Sequence, residues 1–126
     1  MKYKNIIFDF DGTLADTADL TVATMQRTIE ALNLPNASDE VCRSMIGYRL
    51  EEIPSILCPE FQDLSERFAS TFREIFKTIK DSYTVRLYPH VLDTLTDLKQ
   101  NGIGMAVASS RSRVSLQEYL AKLHID

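Results

Sequence analysis

The sequence lacks tryptophan and has only four glycines, four prolines and two cysteines among its 126 residues. This composition excludes collagen-like, low-complexity and disulfide-scaffold chains. The two cysteines, Cys42 and Cys58, form no CxxC pair, so we expect reduced packing residues of a cytoplasmic protein and not a bridge or a metal site. No apolar run approaches the ~20 residues that cross a bilayer, and the start MKYKNIIFDFDGTL does not read as a signal peptide.

The sequence also lacks an excess of positive charge. Fourteen Lys and Arg residues stand against eighteen Asp and Glu, which gives a net charge of -4. No overall positive field attracts polyanions, so nucleic acids and acidic membranes are excluded as main partners. What remains is a chain with 44% hydrophobic residues, a proportion typical of a globular domain with its own core.

Hydrophobic patterning predicts strands at both ends of the chain and helices between and after them. Apolar runs over residues 6–10 and 103–108 predict two buried strands, and Asp11-Gly12 ends the first of them. Ser38 and Ser112 are placed to cap helices. The apolar residues that recur at helical spacing are Val22, Met25, Ile29 and Leu32; Phe61, Leu64, Phe68, Phe72, Ile75 and Ile79; Val91, Leu92, Leu95 and Leu98; and Leu116, Leu120 and Leu123.

The order of these elements predicts an α/β fold with an inserted helical domain. A strand, a helix and a second strand in succession indicate a parallel sheet. The helical block between the strands is too long for a simple crossover. We therefore predict an incomplete Rossmann-like core over 1–14 and 89–126, and a separate helical domain over 15–88.

Two carboxylates close the first predicted strand, in Asp9-Phe10-Asp11-Gly12-Thr13. Residues i and i+2 of a strand point the same way, so both side chains can face one pocket at the strand's carboxyl end. Two like charges placed together need a compensating cation, and Mg²⁺ prefers oxygen ligands. Gly12 allows close approach of a ligand to the backbone, and the amides after it can receive anionic oxygens.

These residues resemble a known family. The segment from Asp9 to Thr17 is similar to the first motif, DxDGT(L/V)xD(S/T), of haloacid dehalogenase superfamily phosphatases. Ser109 occupies the position of the family's second motif, a Ser or Thr that ends the next core strand. The segment from Leu87 to Gly102 resembles the family's PxPGVxxxLxxLxxxG helix, with His90 in place of the usual Gly. The helical insertion resembles the C1-type cap of phosphoglycolate phosphatases and β-phosphoglucomutases.

The resemblance implies Mg²⁺-dependent hydrolysis of small phosphorylated metabolites. Asp9 is implied as the nucleophile that forms an aspartyl-phosphate, and Asp11 as the general acid and base. Mg²⁺ is implied to bind the Asp9 carboxylate and the backbone carbonyl of Asp11. The phosphoryl oxygens are implied to contact Ser109, the amides of Gly12 and Ser110, and the N-terminus of the helix that follows.

Three further residues are grouped with the predicted phosphate and substrate site. Thr13 lies in the motif loop, which it chiefly stabilises. Arg49 lies in Ile46-Gly47-Tyr48-Arg49-Leu50, where C1 caps place a substrate-facing loop, and Arg111 lies beside the phosphate site. Either arginine is suited to bind a carboxylate or a second phosphate. An ordinary solvated side chain is the alternative for both.

The sequence departs from the family pattern after Ser109. The family has a third-motif Lys and a fourth-motif acidic pair farther along its chain, whereas only seventeen residues follow Ser109 here. Lys122 falls inside a predicted helix and is not assigned the third-motif role. We therefore hypothesise that the sequence is the N-terminal half of a phosphatase, inactive or weakly active alone.

Three alternatives to this hypothesis remain. The first is a β-phosphoglucomutase-like phosphotransferase, because the core chemistry is shared. The second is a non-enzymatic fragment that binds a partner or its own missing half. The third, a response-regulator receiver domain, is disfavoured because helical Leu50 to Leu57 lies where its phospho-accepting Asp is needed.

Overall fold

The computed structural model describes residues 2–126 and divides by contacts into two units. The first contains the chain through Asp16 together with Val85–Asp126, and the second is Thr17–Thr84. In chain order the described residues form strands β1 (Asn5–Phe8), β2 (Ala15–Asp16), β3 (Arg86–Leu87) and β4 (Gly104–Val107), helices α1 (Ala18–Ala31), α2 (Asp39–Ser44), α3 (Ile53–Leu57), α4 (Ser65–Ile79), α5 (Val91–Gln100) and α6 (Arg113–Lys122), and 3₁₀ segments at Leu50–Glu52, Pro59–Leu64 and Lys80–Ser82.

A short antiparallel pair marks where the chain leaves and re-enters the first unit. β2 pairs with β3, with Ala15 opposite Leu87 and Asp16 opposite Arg86. The Tyr88 amide also donates to the Leu14 carbonyl at 3.0 Å. These bonds keep residues on both sides of the insertion in the first unit. The boundaries between the two units therefore lie between residues 16 and 17 and between residues 84 and 85. The predicted boundaries were between 14 and 15 and between 88 and 89.

The first unit contains the parallel sheet that the strand-helix-strand order predicted. β1 and β4 are parallel, in a register that runs from Asn5 opposite Gly104 to Phe8 opposite Val107. α5 connects β3 to β4 and packs against β4. The α/β class is therefore confirmed.

The prediction that both strands are buried is wrong. Ile7 of β1 is 71% exposed, and in β4 all residues but Val107 are exposed. Apolar residues favour burial of a strand, but the strand is buried only when layers of structure cover both faces of its sheet. The described residues do not supply both layers.

The second unit is helical and has a closed core. α1 packs against α2 and α4, and the predicted inward faces of α1 and α4 are confirmed. Ser38 caps α2 as predicted, since its hydroxyl accepts from the Val41 amide at 3.2 Å. The buried cluster consists of Val22, Met25, Ile29, Leu34, Cys42, Met45, Ile53, Phe68 and Phe72.

Two helix starts differ from prediction. The long amphipathic helix begins at Ser65 and not at Phe61, because Phe61 lies in a 3₁₀ segment with φ -97° and ψ 18°. α5 begins at Val91 and not at Pro89. The residue before it, His90, has φ +69°, a left-handed conformation that a side chain disfavours. His90 stands where the family pattern has Gly, which explains why Gly is usual there.

Both cysteines are free thiols, as predicted. Cys42 is fully buried in the core of the second unit, and this burial, with the nearby Asp39 carboxylate, raises the pKa of its thiol. A protonated thiol is a poor nucleophile and a poor metal ligand. Within residues 2–126 no helix is long and apolar enough to span a membrane.

Candidate active site

The loop after β1 is fixed by its own backbone. The side chain of Phe10 is fully buried. Its carbonyl accepts hydrogen bonds from the amides of Thr13, Leu14 and Ala15, at 3.2, 3.0 and 3.1 Å. Leu14 and Ala15 are also buried. Asp9 and Asp11 therefore flank a buried anchor, and the positions of their backbones are set by the loop and not by the strand alone.

Gly12 provides the sharp turn in this loop. Its φ is +78°, in the left-handed region where a residue with a Cβ is strained. Its amide donates to the Ala15 carbonyl at 3.0 Å, which closes the turn. A phosphoryl oxygen that binds the Gly12 amide must therefore share it with Ala15.

Asp9 follows directly on β1 and its side chain is exposed. Its Oδ2 accepts a hydrogen bond from Thr13 Oγ1 at 3.3 Å. Thr13 thus steadies one carboxylate oxygen of Asp9 across the turn. An exposed carboxylate that is restrained on one side is well placed to meet a ligand from solvent.

Asp11 is held by Arg111 in a bidentate ion pair. Arg111 Nη2 donates to Asp11 Oδ1 at 2.8 Å, and Arg111 Nε donates to Oδ2 at 2.9 Å and to Oδ1 at 3.0 Å. The two side chains are only 12% and 13% exposed. A paired, largely desolvated guanidinium and carboxylate form one of the stronger polar contacts available to a protein.

The Arg111 guanidinium has additional partners in α6. Its Nη1 donates to Ser115 Oγ at 3.0 Å, and its central carbon lies 4.9 Å from the Tyr119 ring centroid and 5.8 Å from that of Phe10. The sequence motifs did not point to Ser115 or Tyr119. Ser115 and Tyr119 are four residues apart, which places both on one face of α6, and this spacing was the available signal.

Ser109 and Ser110 follow β4 at the same edge of the sheet as Asp9. Because β1 and β4 are parallel and Phe8 is opposite Val107, the carboxyl ends of both strands meet there. The pairing continues one residue further, since the Ala108 amide donates to the Phe8 carbonyl at 2.9 Å. Ser109 Oγ accepts from the Arg111 amide at 3.1 Å, and Ser110 is exposed.

Arg49 lies in the second unit and is exposed. Its charge acts on Glu51, whose pKa lies below the ordinary value for a carboxyl group. The largest cause is the backbone hydrogen bond to the Glu51 carboxylate, followed by its bond with Arg73, with a smaller effect of Arg49. The contact of Arg49 with substrate stays a prediction.

The residues at the sheet edge fit Mg²⁺ better than a transition metal. No group of three or more His, Cys, Asp and Glu side chains in residues 2–126 could hold a metal ion alone. Mg²⁺ commonly keeps several waters and takes only one or two carboxylates. The exposed carboxylate of Asp9 suits this role. Since Arg111 engages the Asp11 carboxylate, Asp11 would offer its backbone carbonyl, as the resemblance implies.

Comparison with known proteins gives a consistent set of matches. Residues 6–126 match the family described as haloacid dehalogenase-like hydrolase. The chain is 30% identical over 113 residues to pyrophosphatase PpaX of Oceanobacillus iheyensis, covering 90% of this chain and 50% of that protein. It is 33% identical over 125 residues to phosphoglycolate phosphatase of Vibrio parahaemolyticus, covering 93% and 54%.

A solved haloacid dehalogenase-like hydrolase from Bacteroides fragilis has a similar structure. The TM-score is 0.80 at 32% identity, and the match covers 95% of this chain but 57% of that one. The chain thus spans about half the length of the relatives it matches, including 50% and 54% of the two enzymes named above.

Proposed function

Because this chain belongs to the family of haloacid dehalogenase-like hydrolases, we propose that it carries the nucleophile and the phosphate cradle of a phosphoric monoester hydrolase. One observation carries the proposal. The exposed carboxylate of Asp9, on a loop anchored by Phe10, lies at the same sheet edge as Ser109 and Ser110. That edge is where open α/β sheets bind their ligands.

Asp9 is the proposed nucleophile. One of its carboxylate oxygens attacks phosphorus in line with the ester oxygen, the bond from phosphorus to that oxygen breaks, and an aspartyl-phosphate forms. Water then attacks this intermediate, releases inorganic phosphate and restores the carboxylate. Because Thr13 Oγ1 donates to Oδ2, the other carboxylate oxygen, Oδ1, is the proposed attacking atom.

Asp11 is the proposed acid and base. It gives a proton to the departing alkoxide and later takes one from the attacking water. Its carboxylate accepts three hydrogen bonds from Arg111 in the structure, so proton transfer requires at least one oxygen to leave that pair. The anionic oxygens of a phosphate ester compete with the Asp11 carboxylate for the Arg111 guanidinium. Binding of the ester therefore favours separation of the ion pair.

The phosphate cradle is proposed to contain Ser109, the amides of Gly12 and Ser110, and the hydroxyl of Thr13. α6 begins close behind them, capped by Ser112, whose Oγ accepts from the Ser115 amide at 3.2 Å. A helix N-terminus adds positive potential for an anion. Mg²⁺, held by Asp9 and the Asp11 carbonyl, would lower the repulsion between the carboxylate and the phosphate.

The proposed substrate is a small phosphorylated metabolite, in a cytoplasmic setting. Relatives named phosphoglycolate phosphatase and pyrophosphatase suggest two candidates, phosphoglycolate and pyrophosphate. Both carry a second anionic group beside the phosphate under attack. Arg49 is the residue of the second unit proposed to bind that group.

The test measures phosphate release from phosphoglycolate and pyrophosphate with Mg²⁺, using the chain, Asp9→Asn and Asp93→Asn. Asp93 is an exposed aspartate of α5 in the same unit and serves as the matched control. We expect Asp9→Asn to remove the phosphate release of the chain, however weak that release is, and Asp93→Asn to leave it unchanged.

A second measurement is independent of turnover. Beryllium fluoride with Mg²⁺ imitates an aspartyl-phosphate, and its binding can be followed by ¹⁹F NMR. We expect bound signal with the chain and with Asp93→Asn, and none with Asp9→Asn. Phosphate release that survives Asp9→Asn, or absence of both turnover and fluoride binding in the unaltered chain, overturns the proposal.

A further inference from the structure

Arg111 uses different parts of its guanidinium for different partners. Its Nε and Nη2 atoms, on one edge, donate to the two carboxylate oxygens of Asp11 at 2.8 to 3.0 Å. Nη1 donates to Ser115 Oγ at 3.0 Å, and the central carbon lies 4.9 Å from the Tyr119 ring centroid. Because these contacts occupy separate parts of the guanidinium, the Asp11 carboxylate can leave while the contacts with α6 remain.

The guanidinium is held in place from several directions. Tyr119, whose ring it contacts, is only 4% exposed. The backbone of Arg111 is fixed as well, since its amide donates to Ser109 Oγ at 3.1 Å. A side chain that is already ordered loses less conformational entropy when it binds a ligand. The Nε and Nη2 atoms therefore form a preorganised pair of donors, here called the arginine edge.

The Asp11 carboxylate can move without a change in its loop. The Phe10 carbonyl accepts three backbone hydrogen bonds, and the Gly12 amide donates to the Ala15 carbonyl at 3.0 Å. These bonds fix the backbone on both sides of Asp11. Rotation of the Asp11 side chain alone is therefore enough to separate the carboxylate from the arginine edge.

The arginine edge suits a phosphate group as well as a carboxylate. Two parallel N–H donors of an arginine match the oxygens of either anion. A phosphate monoester carries a charge of about −1.5 to −2 near pH 7, more than the single charge of a carboxylate. Ser109 Oγ accepts from the Arg111 amide, and a hydroxyl that accepts one hydrogen bond can still donate its own hydrogen to an anion. The proposed phosphate cradle and the arginine edge thus belong to one short stretch of chain.

We propose that the arginine edge is an oxyanion site whose internal ligand is the Asp11 carboxylate. A phosphate oxyanion displaces that carboxylate, while Ser115 and Tyr119 keep the guanidinium in place. This inference rests on the proposed function, which places the phosphate cradle at Ser109. It adds an inhibitory contact to that function, because Arg111 holds the acid and base carboxylate until a phosphate group takes its place. Ser115 and Tyr119 are positioning residues, since they act through Arg111.

The test uses inorganic phosphate as the probe, added to the whole chain at constant ionic strength without Mg²⁺. NMR follows the Nε–H signal of Arg111 and the side-chain carboxyl ¹³C signal of Asp11, with the carboxyl signal of exposed Asp93 as the control. We expect the Arg111 and Asp11 signals to shift with one common midpoint and the Asp93 signal to stay constant. Acetate should cause the same shifts only at about tenfold higher concentration, because it carries less charge.

A cycle of variants separates competition from simple charge repulsion. Asp11→Asn removes the internal ligand, and calorimetry should show about tenfold tighter phosphate binding, as for a site that is available about a tenth of the time in the unaltered chain. In the presence of Arg111→Gln, the same Asp11→Asn change should alter phosphate affinity less than about twofold. Repulsion between Asp11 and phosphate would instead give the same gain in both backgrounds. If Arg111→Gln does not fold, the NMR titration decides the question without a variant.

A further pair of variants tests the positioning role of α6. Ser115→Ala removes the bond to Nη1 and should weaken phosphate binding about threefold, with the midpoint of the Arg111 Nε–H shift moving by the same factor. Gln117→Ala, at an exposed position of the same helix, should leave that midpoint unchanged.

Four results overturn the inference. They are failure of phosphate to bind, a phosphate titration that leaves the Asp11 carboxyl signal in place, equal potency of acetate and phosphate, and an equal gain from Asp11→Asn with and without Arg111→Gln. The proposed function fails separately. Asp9→Asn should remove phosphate release and still show a common midpoint for the Arg111 and Asp11 signals.

Discussion

The two units of this chain bury their apolar residues in different ways. In the second unit, helices supply every layer of the core, and Phe68 of α4 is fully buried. In the first unit, Ile7 of β1 has an equally apolar side chain and is 71% exposed. Helices that pack on one another close a core locally, whereas a parallel sheet needs layers on both faces. The difference shows that apolar sequence alone does not decide burial.

The contrast continues inside the first unit. Residues of β1 and β4 such as Ile7 are exposed, but the loop that carries Asp9 and Asp11 contains the buried residue Phe10 and leads into buried Ala15 of β2, and Tyr119 of α6 is buried as well. Three amides converge on the Phe10 carbonyl, and Arg111 joins the loop to α6. Local bonds thus hold the candidate site in place even where the sheet beneath it is uncovered.

The largest expected effect tests the contrast directly. Phe68→Ala removes a fully buried ring and should lower the free energy of unfolding of the second unit by about 4 kcal/mol. Ile7→Ala removes an exposed side chain and should change the stability of the first unit by less than about 0.5 kcal/mol. Hydrogen exchange of α1 and β1 amides reports the two units separately. Equal losses of stability in the two variants would contradict the difference in burial between the two units.

The next effect concerns the ion pair between Asp11 and Arg111. Arg111→Gln leaves a largely buried carboxylate without its bidentate partner. Removal of one partner from a fully buried pair costs about 3–5 kcal/mol, and the residual exposure of this pair reduces the expected loss to about 2 kcal/mol. The measurement is exchange of α6 amides, with Arg113→Gln, an exposed neighbour, as the control.

A double variant sharpens this prediction. Asp11→Asn combined with Arg111→Gln removes both charges, so the combined loss should be smaller than the sum of the two single losses. A loss of the same size in Arg113→Gln, or full additivity of the double variant, would contradict a stabilising interaction between Asp11 and Arg111.

Much of the fold followed from local patterns. Helical spacing found the inward faces of α1 and α4, because apolar residues three and four apart match the turn of an α-helix and not the alternation of a strand. Ser38 was recognised as a cap because its hydroxyl can satisfy only nearby amides. The start of α4 was misplaced because the spacing extends through Phe61 although the backbone there is not helical.

The remaining features depend on contacts between distant parts of the sequence. The first motif pointed to Asp9 and Asp11, but it contains nothing about Arg111, which lies 100 residues from Asp11. Burial of the strands was mispredicted for the same reason, since it depends on layers outside the strands themselves. The roles of Ser109 and Ser110 stay predictions, although the parallel register does bring them to the edge that carries Asp9.

A smaller effect compares one strained position in each unit. His90 in the first unit has φ +69°, and Asn33 in the second has φ +55°. Asn tolerates the left-handed region better than most residues, so His90→Gly should stabilise its unit by about 0.5–1 kcal/mol and Asn33→Gly by less. Thermal denaturation of both variants provides the measurement. A destabilised His90→Gly variant would show that the side chain of His90 contributes contacts that outweigh the strain.

The smallest effect belongs to the second unit and depends on pH. Arg73 Nη2 lies 3.2 Å from Glu51 Oε1, with side chains 55% and 35% exposed, so Arg73→Gln should cost only about 0.5 kcal/mol at pH 7. The pKa of Glu51 is lowered in the folded chain, so the stability it contributes is present above its unfolded pKa and is lost as pH falls through the folded one. The difference between the chain and Arg73→Gln in urea denaturation should therefore shrink on acidification below the usual Glu pKa, whereas Lys77→Gln should show no such trend. A difference that grows on acidification would contradict the assigned pair, because a carboxylate that loses its charge has less to gain from Arg73.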